Sequence, residues 1–467
     1  MQDASLFARI TQALDKRFHI SERKSTLKTE LLAGVTTFLA MAYIIPVNTN
    51  MLSTYAGVPV GGVFFATIVA SVIAAIIMGM IANYPVALAP GMGINAFFTF
   101  NVVLGYGLSW QAALSAVLIS GVLFLLLTLS GLRKMVIDAI PSSLKYAVGA
   151  GIGFFITFIG LKNAGIVVAD GATLVTLGNL AHPAVLLGIF GLFLVIFLYA
   201  KGNKFALIIA IFTTAVVGLI LNALGVPNMP AYAEAADISL WEGVGQTIGQ
   251  AFVAIPELFQ EPRALFIIFT FLFVDFFDTA GTLIAVGNRA GLINEDGELE
   301  GGNKALMADS ISTVAGGILG TSTVTSYIES ATGIEQGGRT GMTAITVAFL
   351  FLVSLLLYPF LSIFTGVFDA DTGTIYSPVT AMALVMVGAI MVTQLKNIDW
   401  EDKAILIPSF LTIVFMIFSF SIAEGIAVGF IFYPLAMIAT KRAKEVHPIM
   451  YALLVFFIVY FVLHALL

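Results

Sequence analysis

The recurrence of long apolar runs constrains this chain more than any other feature. Runs of about 17–25 apolar residues are long enough to cross a bilayer as helices. They lie near 30–50, 60–82, 84–103, 109–131, 143–162, 183–200, 205–224, 264–287, 304–320, 321–337, 340–364, 378–395, 403–420 and 423–440. A further stretch, 449–467, reads as a fifteenth span or as a helix packed on the surface. The expected fold class is therefore an all-α membrane protein with about 14 transmembrane segments. Composition agrees: only 10% of residues are charged, against roughly 25% in a soluble domain, and no stretch is polar enough to form one. Cysteine is absent, which excludes a disulfide framework, a thiolate nucleophile and a cysteine metal site.

Loop charges set the orientation. With the N-terminus inside, the inner loops hold Arg133 and Lys134, Lys201 and Lys204, Arg289, Arg339, Lys396 and Lys403, and Lys441, Arg442 and Lys444. The outer loops 51–60, 104–109 and 365–377 hold no lysine or arginine, and the outer loop 225–263 is acidic apart from Arg263. That asymmetry satisfies the positive-inside rule. Lys162 is an exception, at a helix end where it can snorkel. Residues 1–28 are polar and basic with no apolar core of a signal peptide. They read as a cytoplasmic tail able to lie on the membrane as an amphipathic helix. The expected location is a cell membrane, multi-pass, the inner membrane where there are two.

Two spans are not ordinary helices. "NYPVALAPGMGINAFF" (83–98) carries Pro85, Pro90, Gly91 and Gly93, and proline removes a backbone donor and clashes with the preceding turn. "GTSTVTSYIESATGIEQGG" (320–338) opens with β-branched and hydroxyl residues, which favour extended chain. Each reads as a short extended piece followed by a half-helix. Such backbone is tolerated at membrane depth only where protein or a polar cavity satisfies it, so both segments should line a cavity. They are the third and tenth spans, seven apart. The preceding spans end alike, "AAIIMG" (74–79) and "AGGILG" (315–320), and the fifth and twelfth both start at a proline and end in "LKN". Interrupted segments at matching places in two halves point to an inverted repeat with a midplane site.

Ionisable residues at membrane depth are costly, and function is their default reading. Asp275 and Asp278 stand three apart on one helix face, and Thr279 and Thr282 continue it. Glu329 follows the extended piece of the tenth span; Asn95 follows the Pro-Gly break of the third. The bland alternative is that these residues pair with one another, or with serines and threonines, to fix helix packing. Asn95 fits that alternative best, because asparagine often caps a half-helix. Asp309 follows a loop and reads equally well as an interfacial residue. Three carboxylates without an evident lysine partner suit a proton carrier. They equally suit a receptor for an amide-like ligand, since a carboxylate accepts N–H donors and an asparagine amide both donates and accepts. Half-helix N-termini add backbone N–H groups. Phe97, Phe98, Phe276, Phe277 and Tyr327 are the aromatics available to stack on a flat ring, although most of the 39 phenylalanines must face lipid or fill the core.

Other chemistries find little footing. The four histidines, His19, His182, His447 and His464, lie in the tail, in loops or near the C-terminus and form no metal-binding spacing. There is no Walker A motif, and no basic stripe for nucleic acid. "GMG" and "GIG" are better explained as helix breaks and close packing than as phosphate loops. An intramembrane enzyme would need a nucleophile–base pair or metal ligands at depth, which the sequence does not offer.

"NYPVALAPGMGINAFFTF", "FVDFFDTAGTLIAVGNRAG" and "TSTVTSYIESATGIEQGGRTGMTA" together resemble the three signature regions of the AzgA-type purine permeases, a branch of the nucleobase–ascorbate transporter family. The resemblance runs from about Thr29 to the C-terminus. It implies two inverted repeats of seven spans and a core domain that moves against a gate domain. The implied layout is a tail over 1–28, core over 29–131, gate over 132–262, core over 263–364 and gate over 365–467. It also implies inward movement of adenine, guanine or hypoxanthine with a proton, and a homodimer. By position, Asn95 matches the family's polar residue of span three. Asp275 and Asp278 match its acidic pair of span eight, and Glu329 matches the acidic residue of span ten that helps bind the base. The candidate base-binding set is thus Asn95, Asp275, Asp278, Glu329, Gly93, Tyr327 and Thr282, with Asp275, Asp278 and Glu329 as candidates for proton coupling. No cofactor, metal or nucleic acid is expected. Glu335 departs from the pattern, standing where this group is expected to carry small residues, and reads as solvated at the cytoplasmic end.

Rival readings keep the same fold or leave it. Xanthine, uracil or another small planar solute, or sodium in place of the proton, suits much of the same chemistry. An anion transporter would place a cation in the site, where this sequence places acids. A channel fits the closed carboxylate pocket and broken helices less well than alternating access.

Overall fold

A computed structural model describes residues 2–130, 139–232, 240–292, 299–370 and 372–466. Arg133 and Lys134, used above for orientation, lie outside the described residues. In chain order the main helices of the first half are α1 (Gln2–Phe18), α2 (Leu27–Met41), α3 (Ile44–Asn50), α4 (Val60–Ile77), α5 (Met92–Ala96), α6 (Trp110–Ser130), α7 (Ser142–Asn163), α8 (Pro183–Ala200) and α9 (Ala206–Ala223). The second half continues with α10 (Leu240–Thr247), α11 (Ala264–Ala290), α12 (Gly302–Leu319), α13 (Ser330–Glu335), α14 (Gly341–Val353), α15 (Ala381–Val392), α16 (Lys403–Phe418), α17 (Ile422–Ala439) and α18 (Pro448–Leu466). Among the described residues, nine helical stretches are long and apolar enough to cross a membrane. Four shorter apolar helices, Met92–Val103, Ala381–Asn397, Lys403–Phe418 and Pro448–Val462, accompany them. The 304–320 run is helical as α12 but is not one of the nine, because Asn303, Lys304 and Asp309 dilute the apolar character of that helix.

Large apolar side chains stay on the outside, among them Phe193, Phe197, Leu224, Phe349, Leu356 and Phe418. A water-soluble protein seldom exposes so much apolar surface, whereas lipid accepts it. Inside, small residues let backbones touch. A Cβ added at Gly341, the start of α14, would lie 2.1 Å from the Gly79 carbonyl oxygen; membrane helices that cross this closely need such residues.

Both interrupted segments have the expected form. In the first, β1 (Leu88–Pro90) leads into α5, which continues as a wider helical turn over Phe97–Val103. In the second, Gly320 ends α12 at φ +109°, a left-handed conformation that favours glycine. The chain then runs extended through β4 (Val324–Ser326) into α13. Between them, outside the core, lies the hairpin β2·β3 (Val167–Asp170 with Leu174–Leu177); a second, β5·β6, pairs Val367–Asp369 with Thr374–Tyr376. β1 and β4 pair antiparallel with Leu88 opposite Ser326, Ala89 opposite Thr325 and Pro90 opposite Val324. The pairing extends at both ends, by Gly91 N–H to Thr323 O and Tyr327 N–H to Ala87 O, each 3.0 Å. Two segments from opposite halves of the sequence thus satisfy each other's backbone at the centre of the bundle.

Candidate functional site

The β1·β4 ribbon is buried on both strands; β4 lies against α11 and α12, and β1 against α4 and α3. Much of the ribbon's hydroxyl-rich sequence is engaged in hydrogen bonds, although Thr323 Oγ1 and Ser326 Oγ are buried without a partner. Ser322 donates to Asn95 Oδ1. Tyr327 donates its hydroxyl to Pro90 O at 2.6 Å. Ser330 Oγ accepts the Ala87 N–H at 3.0 Å. From α3, Asn48 donates to Thr321 at 3.0 Å and to Thr67 at 2.7 Å. The first span is itself broken between α2 and α3, and Tyr43 stands at the break. Its hydroxyl donates to Glu329 Oε1 at 2.7 Å.

The two aspartates of α11 meet different neighbours. Asp275 is 1% exposed and accepts from Thr313 of α12 at 2.7 Å. Asp278, one turn on, is half-buried, beside Thr325 and near Glu329, which is half-buried too. Asp309 proves to be fully buried, not interfacial, and accepts from Thr279 of α11 at 2.8 Å. The contact is reciprocal. Asp275 and Thr279 are one turn apart on α11; Asp309 and Thr313 are one turn apart on α12; each threonine serves the other helix's acid. The same hydroxyls take the outer N–H groups of β4: Val324 N–H reaches Thr313 Oγ1 at 3.3 Å and Ser326 N–H reaches Thr279 Oγ1 at 3.4 Å. Thr279 also shares a hydrogen bond of 2.7 Å with Thr325. Since Thr279 gives its one proton to Asp309, Thr325 is the donor in that pair.

The residues expected from the sequence therefore fall into two groups. Asp278, Glu329, Gly93 and Thr282 keep partial exposure and can meet a solute. Asp275, Asn95 and Tyr327 are buried: Asn95 accepts from Ser322 and Tyr327 donates to Pro90 O within the ribbon, while Asp275 accepts from Thr313 of α12. Gly93 also marks a close approach, since a Cβ there would sit 2.5 Å from Ile152 Cγ2 of α7. Of the aromatics, Phe97 and Phe98 pack edge-on against Phe271, and Phe276 against Phe124. Phe277 alone of the phenylalanines named above is half-buried, with Lys145 of α7 over its ring at 5.4 Å. Glu335, expected to be solvated, is half-exposed and paired: Lys204 is 2.7 Å away and Arg289 3.2 Å. His182, in a loop as expected, stacks on Tyr376 at 4.7 Å and lies 3.4 Å from Asp369. No cluster of three or more metal-ligating side chains occurs among the described residues.

Sequence reasoning passed over Tyr43 and the part played by Asp309 and Thr313. The signal for Tyr43 was the polar and proline content of "YIIPVNTN" (43–50), which already argues against an unbroken first span. Asp309 and Thr313 share the four-residue spacing of Asp275 and Thr279, and that echo was available.

A family model described as Permease family, Xan_ur_permease, matches residues 28–428. The guanine/hypoxanthine permease PbuG of Bacillus subtilis (strain 168) is 47% identical over 453 residues, covering 95% of this chain and 98% of that one. The adenine permease AdeP of Escherichia coli (strain K12) is 40% identical over 435 residues, covering 93% of each. Among solved structures, the transmembrane domain of a cyanobacterium bicarbonate transporter, BicA, superimposes with a TM-score of 0.58 at 17% identity, covering 86% of this chain and 97% of that one. The murine anion transporter Slc26a9 in its inward-facing state gives 0.55 at 12% identity, over 88% of this chain and 68% of that one. Those two likenesses speak for the fold alone.

Proposed function

Because this chain belongs to the Xan_ur_permease family of permeases, we propose that it carries purine nucleobases, hypoxanthine, guanine or adenine, into the cell by alternating access, coupled to a proton. The observation that carries the reading is the identity to a guanine/hypoxanthine permease along nearly the whole chain. It is a transporter and not an enzyme.

The chemistry of the site supports the same reading. Asp278 and Glu329 offer acceptors to the ring and exocyclic N–H groups of a purine, and Tyr43 holds the Glu329 carboxylate in place. Acids in the open part of the site do not suit an anionic solute, whose charge they would repel. On this reading the chain crosses the membrane fourteen times, as two inverted repeats of seven, with its N-terminus in the cytoplasm. Residues 29–131 and 263–364 form the core domain, and 132–262 and 365–467 the gate. The base sits where β1, β4 and α11 converge, and rigid movement of core against gate exposes it to each side in turn. The protein works as a homodimer.

Purified protein in liposomes should accumulate labelled hypoxanthine, guanine or adenine when the outside is made acid. Folded protein that takes up none of the three overturns the proposal. Accumulation driven by a sodium gradient at fixed pH would replace the proton in it.

A further inference from the structure

The reciprocal contact between α11 and α12 leaves polar atoms over. After accepting from the threonines, Asp275 Oδ1 and Asp309 Oδ2 are buried without a hydrogen-bond partner. Thr323 Oγ1, fully buried and equally unpartnered, neighbours Asp275. The reciprocal threonine bonds place the two carboxylates on facing turns of α11 and α12. No lysine, arginine or histidine among the described residues pairs with either acid. Two ionised carboxylates in such a place repel each other and lack water, so the doubly charged pair is costly. One added cation removes the repulsion and supplies the missing donor.

We propose that the coupling proton is held by the Asp275–Asp309 pair behind β4, and not by the carboxylates that face the base. The inference rests on the proton-coupled reading above. The step forms one O–H bond, at Asp275 Oδ1 or Asp309 Oδ2, and breaks it again; the proton comes from water on one side and returns to water on the other. Its effect reaches the base through β4. Thr313 links Asp275 to the Val324 N–H, and Thr279 links Asp309 to the Ser326 N–H and to Thr325. A bond from a hydroxyl to a carboxylate is stronger than one to a neutral acid. Protonation therefore loosens the grip of α11 and α12 on β4, and β4 leads directly into Tyr327 and Glu329. Binding of proton and base is then linked in both directions.

Few other charges bear on the pair. On α11 they are Asp278 and, at the cytoplasmic end, Arg289; on α12, Lys304 in the exposed first turn. Past β4 come Tyr327, Glu329 and Glu335, and α17 brings Glu424 at its outer end. The sequences of α4, α6 and β1, packed against α11 or α12, contain no titratable side chain.

The test measures proton uptake on hypoxanthine binding, by titration calorimetry of the full chain in buffers of differing ionisation enthalpy. Wild type should take up a proton with the base. Asp309→Asn, a fixed mimic of the protonated acid, should bind hypoxanthine within about threefold of wild type but without that proton. In liposomes it should exchange labelled hypoxanthine yet fail to accumulate it on a pH gradient. Unchanged proton uptake or accumulation in Asp309→Asn overturns the inference, and so does loss of hypoxanthine binding by the folded variant. Thr279→Val, nearly the same shape, decides the matter if Asp309→Asn does not fold. It removes a donor from ionised Asp309 and should raise the pH midpoint of accumulation by about 1 unit; an unmoved midpoint overturns the inference. Wild type is measured first: no uptake removes purine transport, and sodium-driven uptake removes proton coupling, each taking the inference with it.

Discussion

Asp275 and Asp278 are three residues apart on one helix, yet a turn of α11 gives them different neighbours. Asp275 belongs to the scaffold behind β4, while Asp278 and Glu329 keep open faces toward the place proposed for the base. Hydrogen bonds to charged groups are worth about 1.5–3 kcal/mol, or roughly 10- to 150-fold in affinity. Asp278→Asn and Glu329→Gln should each weaken hypoxanthine binding within that range in calorimetry, with the fold intact by circular dichroism. Tyr43→Phe removes only the donor that orients Glu329 and should cost less, up to about tenfold. Full affinity in Asp278→Asn would mean that the base lies elsewhere.

At the scale of elements, the β1·β4 ribbon gives the site its shape, and Gly93 sets how closely α5 approaches α7. An extra methyl there must displace Ile152 or part the helices, and overpacking of this kind costs about 1–3 kcal/mol. Gly93→Ala should slow uptake severalfold, and Ile152→Ala placed on top should restore much of the rate. If Gly93 matters by touching the base, the second substitution will not help. A different element depends on acid. Asp402 caps α16 through the Ala404 N–H at 2.9 Å and also binds Arg442, which holds Glu445 at 2.7 Å. Hydrogen bonds from Arg442 keep both carboxyls below the usual carboxylate range. Their folded-state values are depressed, so the stabilisation is present above the unfolded value near 4 and is lost as pH falls through the lower folded value. Amide protection factors over 399–447, which remove the intrinsic pH dependence of exchange, should fall as pH is lowered from about 5 to 3, and should stay constant in that window if Arg442 is replaced by alanine. Much of this architecture was legible in the sequence. Proline and glycine mark the β1–α5 break, and β-branched hydroxyl residues mark β4, because backbone chemistry is local. What a buried polar side chain meets is not local. Tyr43 and Glu329 are 286 positions apart, and Asp309 acquires its meaning only when α12 lies against α11.

For the molecule as a whole, the proposed division into core and gate makes Glu335 a contact between the moving parts. It pairs with Arg289, which is on its own side, and with Lys204, in the turn between α8 and α9 on the other. Only the second bond must break when the core moves. Exposed pairs contribute about 0.2–1 kcal/mol, so Lys204→Ala should shift the balance between conformations by up to about fivefold. The chain has no cysteine, so a single Thr282→Cys reports the change cleanly. Its labelling by a membrane-impermeant thiol reagent from the cytoplasmic side should rise in the Lys204→Ala background; equal labelling would show that the pair is not a latch. The ribbon has a consequence for biogenesis as well. The bond from Tyr327 to Pro90 joins residues 237 positions apart, which a ribosome adding about 5–20 residues per second separates by roughly 10–50 s. Throughout that interval β1 is already made, and its backbone groups have no strand to pair with. The nascent first half must stay shielded from lipid until β4 emerges to complete it.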